Sequence, residues 1–307
     1  MTTLELAKSI TFKNILVATD FSDASKPALE CAAKIAGLSE AQLFVLHALP
    51  PEPRLPVPLD HLPARLDRDL SEAKLNLKKT VASEPLRHIR HEEIMERGPV
   101  CDVVLDVIQK KKIDLLVLGT HGRTALKKIF LGSIAEELFR RASCPVLTVG
   151  PSAEPLRQIR RVLFATDFGH ASAQALPYAM EFANQTDGEL TLLHVASPLP
   201  VEYVGPGWYP GSDFTELRMA SERKSMQQLQ DLLPSGDGLK CKVEHLVEVN
   251  SVPAGIIEVA VRLGADLIVM GVRESGTSMP RLAAHMPWAI AYEVACHATC
   301  PVLTIRA

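Results

Sequence analysis

Short, nearly continuous apolar runs alternate along this chain with longer segments in which apolar residues return every three or four positions. The first kind reads as strands buried on both faces, the second as helices with one buried face. In the first half the strand candidates are 14–19, 42–48, 90–96, 114–119 and 145–149. The helix candidates are 24–37, 62–82, 100–112 and 132–142. Pro27 falls in the first turn of the first helix, where its missing N–H costs nothing, and Gly37 is placed to cap its C-terminus. Strict strand–helix alternation implies right-handed crossovers and a parallel sheet.

The same pattern then occurs again. KNILVATDF at 13–21 returns as RRVLFATDF at 160–168, and Leu46-His47-Ala48 returns as Leu193-His194-Val195. DLLVLG at 114–119 returns as DLIVMG at 266–271, and CPVLT at 144–148 returns at 300–304. The spacing grows from 147 to 152 to 156 residues, which locates short insertions before the fourth strand of the second copy and after Gly271. Its strands are expected near 160–166, 189–195, 241–248, 266–271 and 301–305. A repeat of this length sets the fold before any single residue does. The expected fold class is therefore α/β: two tandem, open, five-stranded parallel sheets with helices on both faces, with domains at 1–150 and 157–307. The joint between them is the proline-bounded stretch 151–155.

Composition narrows the function. The 307 residues are 47% hydrophobic and 22% charged, which is globular, and 5% aromatic, so the core is mostly aliphatic. A net charge of −3 supplies no basic field for nucleic acid and no polybasic anchor for a membrane. The N-terminus has no signal-peptide pattern and no apolar run is long enough to span a bilayer. Six cysteines without regular spacing suit a reducing compartment. The expected location is the cytoplasm.

The candidate chemistry lies where the fourth strand of the first copy ends. Gly119, Gly122, Gly132 and Ser133 form G-x2-G-x9-G-S ahead of a helix. Glycines let backbone amides approach phosphate oxygens with no Cβ in the way. A helix start offers free N–H groups and partial positive charge, and the Ser133 hydroxyl can donate. Ligands of open α/β sheets sit beyond the carboxyl ends of the strands, where this loop emerges. Spacing alone leaves open a glycine-rich connection that binds nothing.

With these motifs the chain resembles a tandem universal stress protein, over both copies almost end to end. In that family G-x2-G-x9-G-[ST] is the ATP motif, and the first copy matches each fixed position. The flanking Ala-Thr-Asp-Phe-Ser at 18–22, Leu46-His47 and Leu-Gly-Thr-His-Gly-Arg-Thr at 118–124, which includes His121, are also similar, while the family often has valine where this chain has Ala48. The resemblance implies a Rossmann-like fold of the adenine-nucleotide alpha-hydrolase type. It places Thr19 and Asp20 by the adenine edge and nearby ribose, and the Ala48 backbone on the adenine. Leu118, Gly119, Gly122, Gly132 and Ser133 would hold ribose and phosphates, with the Ile134 amide as a helix-end donor. The cofactor implied is ATP with Mg2+. Arg123 is a candidate to neutralise phosphate charge, and a solvated loop arginine is the competing reading. The family also implies that strands 145–149 and 301–305 pair within the chain, with further self-association into a homo-oligomer.

The second copy keeps Thr166, Asp167, His194 and Val195 but replaces the phosphate side. Glu274 stands where Gly122 does, and Trp288-Ala289 align with Gly132-Ser133. It is expected to lose ATP's phosphates while remaining open to a ligand without them. Other motifs add little. There is no Walker A sequence, and no signature of adenylyl-transferring relatives. Lys127 and Lys128 read as a solvated helix face, and His47 and His194 as core histidines. Cys296-His297-x2-Cys300 reads as a helix end and strand start rather than a metal pair. The proline-rich stretch 50–63 reads as a loop, and 198–213 as a lid or a long surface loop. The reading is an ATP-dependent stress-response or signalling module. A slow ATPase and a ligand-independent interaction protein are the alternatives.

Overall fold

A computed structural model describes residues 11–51, 62–120, 131–150, 153, 156, 158–198, 215–233, 239–273 and 288–307. It divides into two compact units, one of Thr11–Arg157 and one containing Gln158–Ala307. The first runs β1 (Asn14–Ala18), a 3-10 turn (Asp23–Ser25), α1 (Lys26–Ser39), β2 (Gln42–Leu49), α2 (Leu62–Val81) and β3 (His91–Arg97). It continues with α3 (Val100–Lys110), β4 (Leu115–Gly119), α4 (Ser133–Arg141) and β5 (Val146–Val149). The strands pair in parallel in the order β3-β2-β1-β4-β5.

The second unit runs β6 (Arg161–Ala165), α5 (His170–Gln185), β7 (Glu189–Ala196), α6 (Thr215–Leu232), β8 (Lys242–Val249) and α7 (Val252–Leu263). It ends with β9 (Leu267–Val272), α8 (Ala289–His297) and β10 (Val302–Arg306). Its order, β8-β7-β6-β9-β10, is the same design. In each unit the chain leaves the first strand to one side and returns on the other. The crevice between β1 and β4, or β6 and β9, is the topological switch point where such sheets hold ligands.

The central strands carry the core. Ile15, Leu16, Val17, Leu115, Leu116 and Val117 are fully buried, as are Leu163, Phe164, Ile268 and Val269. The amphipathic period of α3 buries Val103, Val104, Val107 and Ile108 on one face. An aspartate sets the register at each switch point. Asp114 accepts from the backbone N–H of Lys13 (2.8 Å) and Asn14 (3.1 Å), and Asp266 does the same for Arg160 (3.0 Å) and Arg161 (2.8 Å). Burial pushes the Asp114 carboxyl above its usual range, against the pull of those amides. Asp114→Ala strands the Asn14 amide and is expected to destabilise the first unit by about 1–2 kcal/mol in urea unfolding.

Gly37 does not cap α1. The helix runs on to Ser39, and Glu40 takes the left-handed conformation (φ 51°) with its N–H on the Ala36 carbonyl. Gly37 lies inside the helix, close to Ile89. Asp187 repeats the positive φ of Glu40 in the second unit, and Gly264 repeats that of Lys112. The turn geometry is thus kept where the residue type is not.

Candidate functional site

At the end of β1 the backbone folds back sharply. Thr19 is buried, its N–H donates to the Leu46 carbonyl (2.9 Å), and its Oγ1 accepts from the Phe21 N–H (3.0 Å). Phe21 has φ of 63°, a conformation that is costly for an aromatic residue and is held only by surrounding structure. Its ring stacks on His47 with centroids 4.2 Å apart. The His47 Nδ1 donates to the Thr19 carbonyl (2.8 Å). His47 is half-buried and lines the crevice, as His194 does in the second unit, so neither is the core histidine expected from the sequence. Asp20 projects between these elements. Its Oδ1 accepts from the N–H (3.0 Å) and Oγ (2.6 Å) of Ser22.

The opposite wall is the start of α4. Gly132 is its N-cap, extended at φ −57° and ψ 149°. The Gly132 N–H donates to the Thr120 carbonyl (2.8 Å), which ties the helix start to the end of β4. The first intrahelical bond runs from Glu136 N to Gly132 O (2.9 Å). The N–H groups of Ser133, Ile134 and Ala135 therefore have no partner within the helix and carry its positive end.

These walls enclose a crevice of about 180 Å3. Eight of the residues picked out from the sequence line it together: Thr19, Asp20, Ala48, Leu118, Gly119, Gly132, Ser133 and Ile134. Gly122 and Arg123 lie outside the described residues, as do His121, Lys127 and Lys128. The crevice also takes in Ser25, Val100 and Val104, which the sequence reading missed. Val100 and Val104 follow the same apolar period as the rest of α3, so no local signal separates a lining valine from a core valine.

The second unit rebuilds the strand-end wall closely. The Phe168 N–H donates to Thr166 Oγ1 (2.9 Å) and His194 Nδ1 to the Thr166 carbonyl (2.9 Å). Phe168 has φ of 59° and lies 4.5 Å from His194, centroid to centroid. Asp167 accepts from the Gly169 N–H (2.8 Å) and Ser172 Oγ (2.6 Å), and it pairs with Arg273. Burial alone would raise the Asp167 carboxyl. The hydrogen bonds from Ser172, Gly169 and Arg273, with the Arg273 charge, outweigh it and hold the group below its usual range.

The helix-side wall differs. Trp288 is the N-cap of α8 with φ −98° and ψ −4°, and its indole packs edge-on against Tyr292. The carbonyl equivalent to that of Thr120 belongs to Val272, and it accepts from the Ala307 N–H (3.2 Å). The first-copy counterpart of Ala307 is Pro151, whose nitrogen has no hydrogen to give. β9 and β10 thus each run one residue longer than β4 and β5, and the Val272 carbonyl takes an N–H from that extension. Glu274 lies outside the described residues, as does 199–213. Among the described residues neither Cys296 nor Cys300 forms a disulfide.

The fold and these crevices define a class first: a twice-built α/β domain with a crevice at each switch point. Comparison with known proteins then gives the family. The universal stress protein family model matches residues 11–150 and 158–306. A universal stress protein of Methanocaldococcus jannaschii is 35% identical over 141 residues, covering 45% of this chain and 82% of that protein. One from Mycolicibacterium smegmatis is 26% identical over 309 residues, covering 98% of this chain and 99% of its own. Among solved structures, a universal stress protein from Archaeoglobus fulgidus superposes with a TM-score of 0.67 at 20% identity, over 95% of this chain and 98% of that one. The chain belongs to the universal stress protein family. No helix among the described residues is long and apolar enough to cross a membrane.

Proposed function

We propose that the first unit binds ATP and that the bound state sets how the chain engages its partners, as a stress-response or signalling module. The observation that carries this reading is the first crevice itself. A strained aspartate-bearing turn faces a glycine-capped helix start across the switch point, and Thr120 and Gly132 fasten the two ends of the loop. Asp20 and the Ala48 backbone would take the adenine and ribose. Gly119, Gly122, Arg123, Gly132, Ser133 and Ile134 would take ribose and phosphates, the last two through helix-end amides that favour an anion. Mg2+ would travel on the phosphate oxygens and offset their charge. Among the described residues lining the crevice the one carboxylate is Asp20, which serves the adenine side, so a binding role fits better than hydrolysis.

Thermal unfolding tests this. A ligand at a hundred times its Kd stabilises by about 2.7 kcal/mol, which raises the melting temperature of a domain this size by about 5–10 °C. ATP with Mg2+ is expected to do this for the transition of the first unit. No shift at saturating ATP would favour a protein that works without a ligand.

A further inference from the structure

The second unit has a larger crevice, about 440 Å3, within the range of roughly 300–1,000 Å3 typical of small-molecule sites. Its walls match the first crevice position by position. Val252 and Ile256 stand for Val100 and Val104, and Met270 for Leu118. Ile290, like Ile134, is a large apolar side chain left exposed at the mouth. Backbone strain at Phe168, a cost a mere scaffold has no reason to keep, is retained beside Asp167. Among the described residues the largest changes are at the phosphate end, where Trp288 stands for the Gly132 cap and the Val272 carbonyl accepts from Ala307, and at Arg273.

Arg273 follows β9 directly, and its guanidinium bonds to Asp167 after the neighbouring strand β6. The pair therefore spans the crevice at the carboxylate that a ligand would need. Both partners are about half exposed, at 64% and 48%, so the link is an exchangeable one.

We propose that the second crevice is a site for an uncharged nucleoside, a flat heterocycle whose sugar hydroxyls or ring N–H donate to Asp167, and that Arg273 gates it by competing for that carboxylate. The apolar walls take the heterocycle, and the Val195 backbone offers its edge the same groups as Ala48. The phosphate end adds nothing to affinity. The inference rests on the adenine-side reading of the first crevice and assigns the second one a different ligand.

The chain has two tryptophans. Trp208→Phe leaves Trp288, two residues before the lining Ile290, as the sole reporter. Its fluorescence, excited where adenine does not absorb, is followed as adenosine is added to the full chain. The expected result is a saturable change that tightens about threefold to fivefold in Arg273→Met, the worth of a half-exposed ion pair, and disappears in Asp167→Asn. Salt is expected to tighten binding in the parent and not in Arg273→Met, because screening weakens the competitor. ATP is expected to bind here no tighter than adenosine. No saturable response in either protein, equal affinity in both, or ATP more than about tenfold tighter than adenosine would overturn the proposal. The melting shift of the first unit with ATP is read separately, so failure of one reading is distinguishable from failure of the other.

Discussion

Replacing Gly132 by tryptophan is expected to remove ATP binding from the first unit while leaving its fold intact. Alanine at the same position is expected to cost less than about tenfold. The contrast follows from the geometry. Gly132 does not use a left-handed φ, and a Cβ there would meet the Thr120 carbonyl at 3.6 Å, an ordinary contact. Its value is clearance in front of the helix-end amides. An indole in that space would displace two or more charge-assisted hydrogen bonds to phosphate. At about 1.5–3 kcal/mol each, the loss exceeds about a hundredfold in Kd. Titration calorimetry reads the affinity, and circular dichroism shows that the variant is folded. Tight ATP binding by Gly132→Trp would mean that the phosphates lie elsewhere.

Gly271→Ala is expected to do the opposite: strongly destabilise the second unit with no direct effect on the first crevice. A Cβ at Gly271 would fall inside contact distance of the Ala171 carbonyl and the Ser172 amide, at the start of α5. These are backbone atoms and cannot turn aside, so the strand and helix must part. The expected loss is about 3 kcal/mol or more, at the upper end for overpacking. Both tryptophans, Trp208 and Trp288, lie in the second half of the chain. Urea unfolding followed by their fluorescence reports on that unit, and a change below about 1 kcal/mol would contradict the packing described.

Gly271 carries a constraint that sequence alone does not show: the backbone at the start of α5 leaves no room there for a Cβ. The repeat, the strand–helix alternation and the parallel sheets were legible because periodicity and duplicated motifs are properties of many residues at once. Element ends differed by one or two residues because capping depends on local geometry, as at Glu40. The strand-end residues Asp20 and Ala48 were found through motifs, and the structure brings them opposite Ser133 and Ile134. Val100 and Val104 were not found, since their type is ordinary for a core, and Ser25 was not, since a serine ahead of a helix reads as a cap. The Arg273–Asp167 pair was invisible for a plainer reason: 106 residues separate the partners, and only the β6–β9 pairing makes them neighbours. The exchange of Pro151 for Ala307 was open to inspection in the sequence, but its meaning needed the carbonyl of Val272.

The proposed function makes the two copies of one domain unequal, with the first alone keeping a phosphate cradle. Titration of the full chain with ATP and Mg2+ tests it most directly. The expected result is one high-affinity ATP per chain, lost in Gly132→Trp. Two sites of equal affinity, or one that survives Gly132→Trp and is lost in Asp167→Asn, would contradict it.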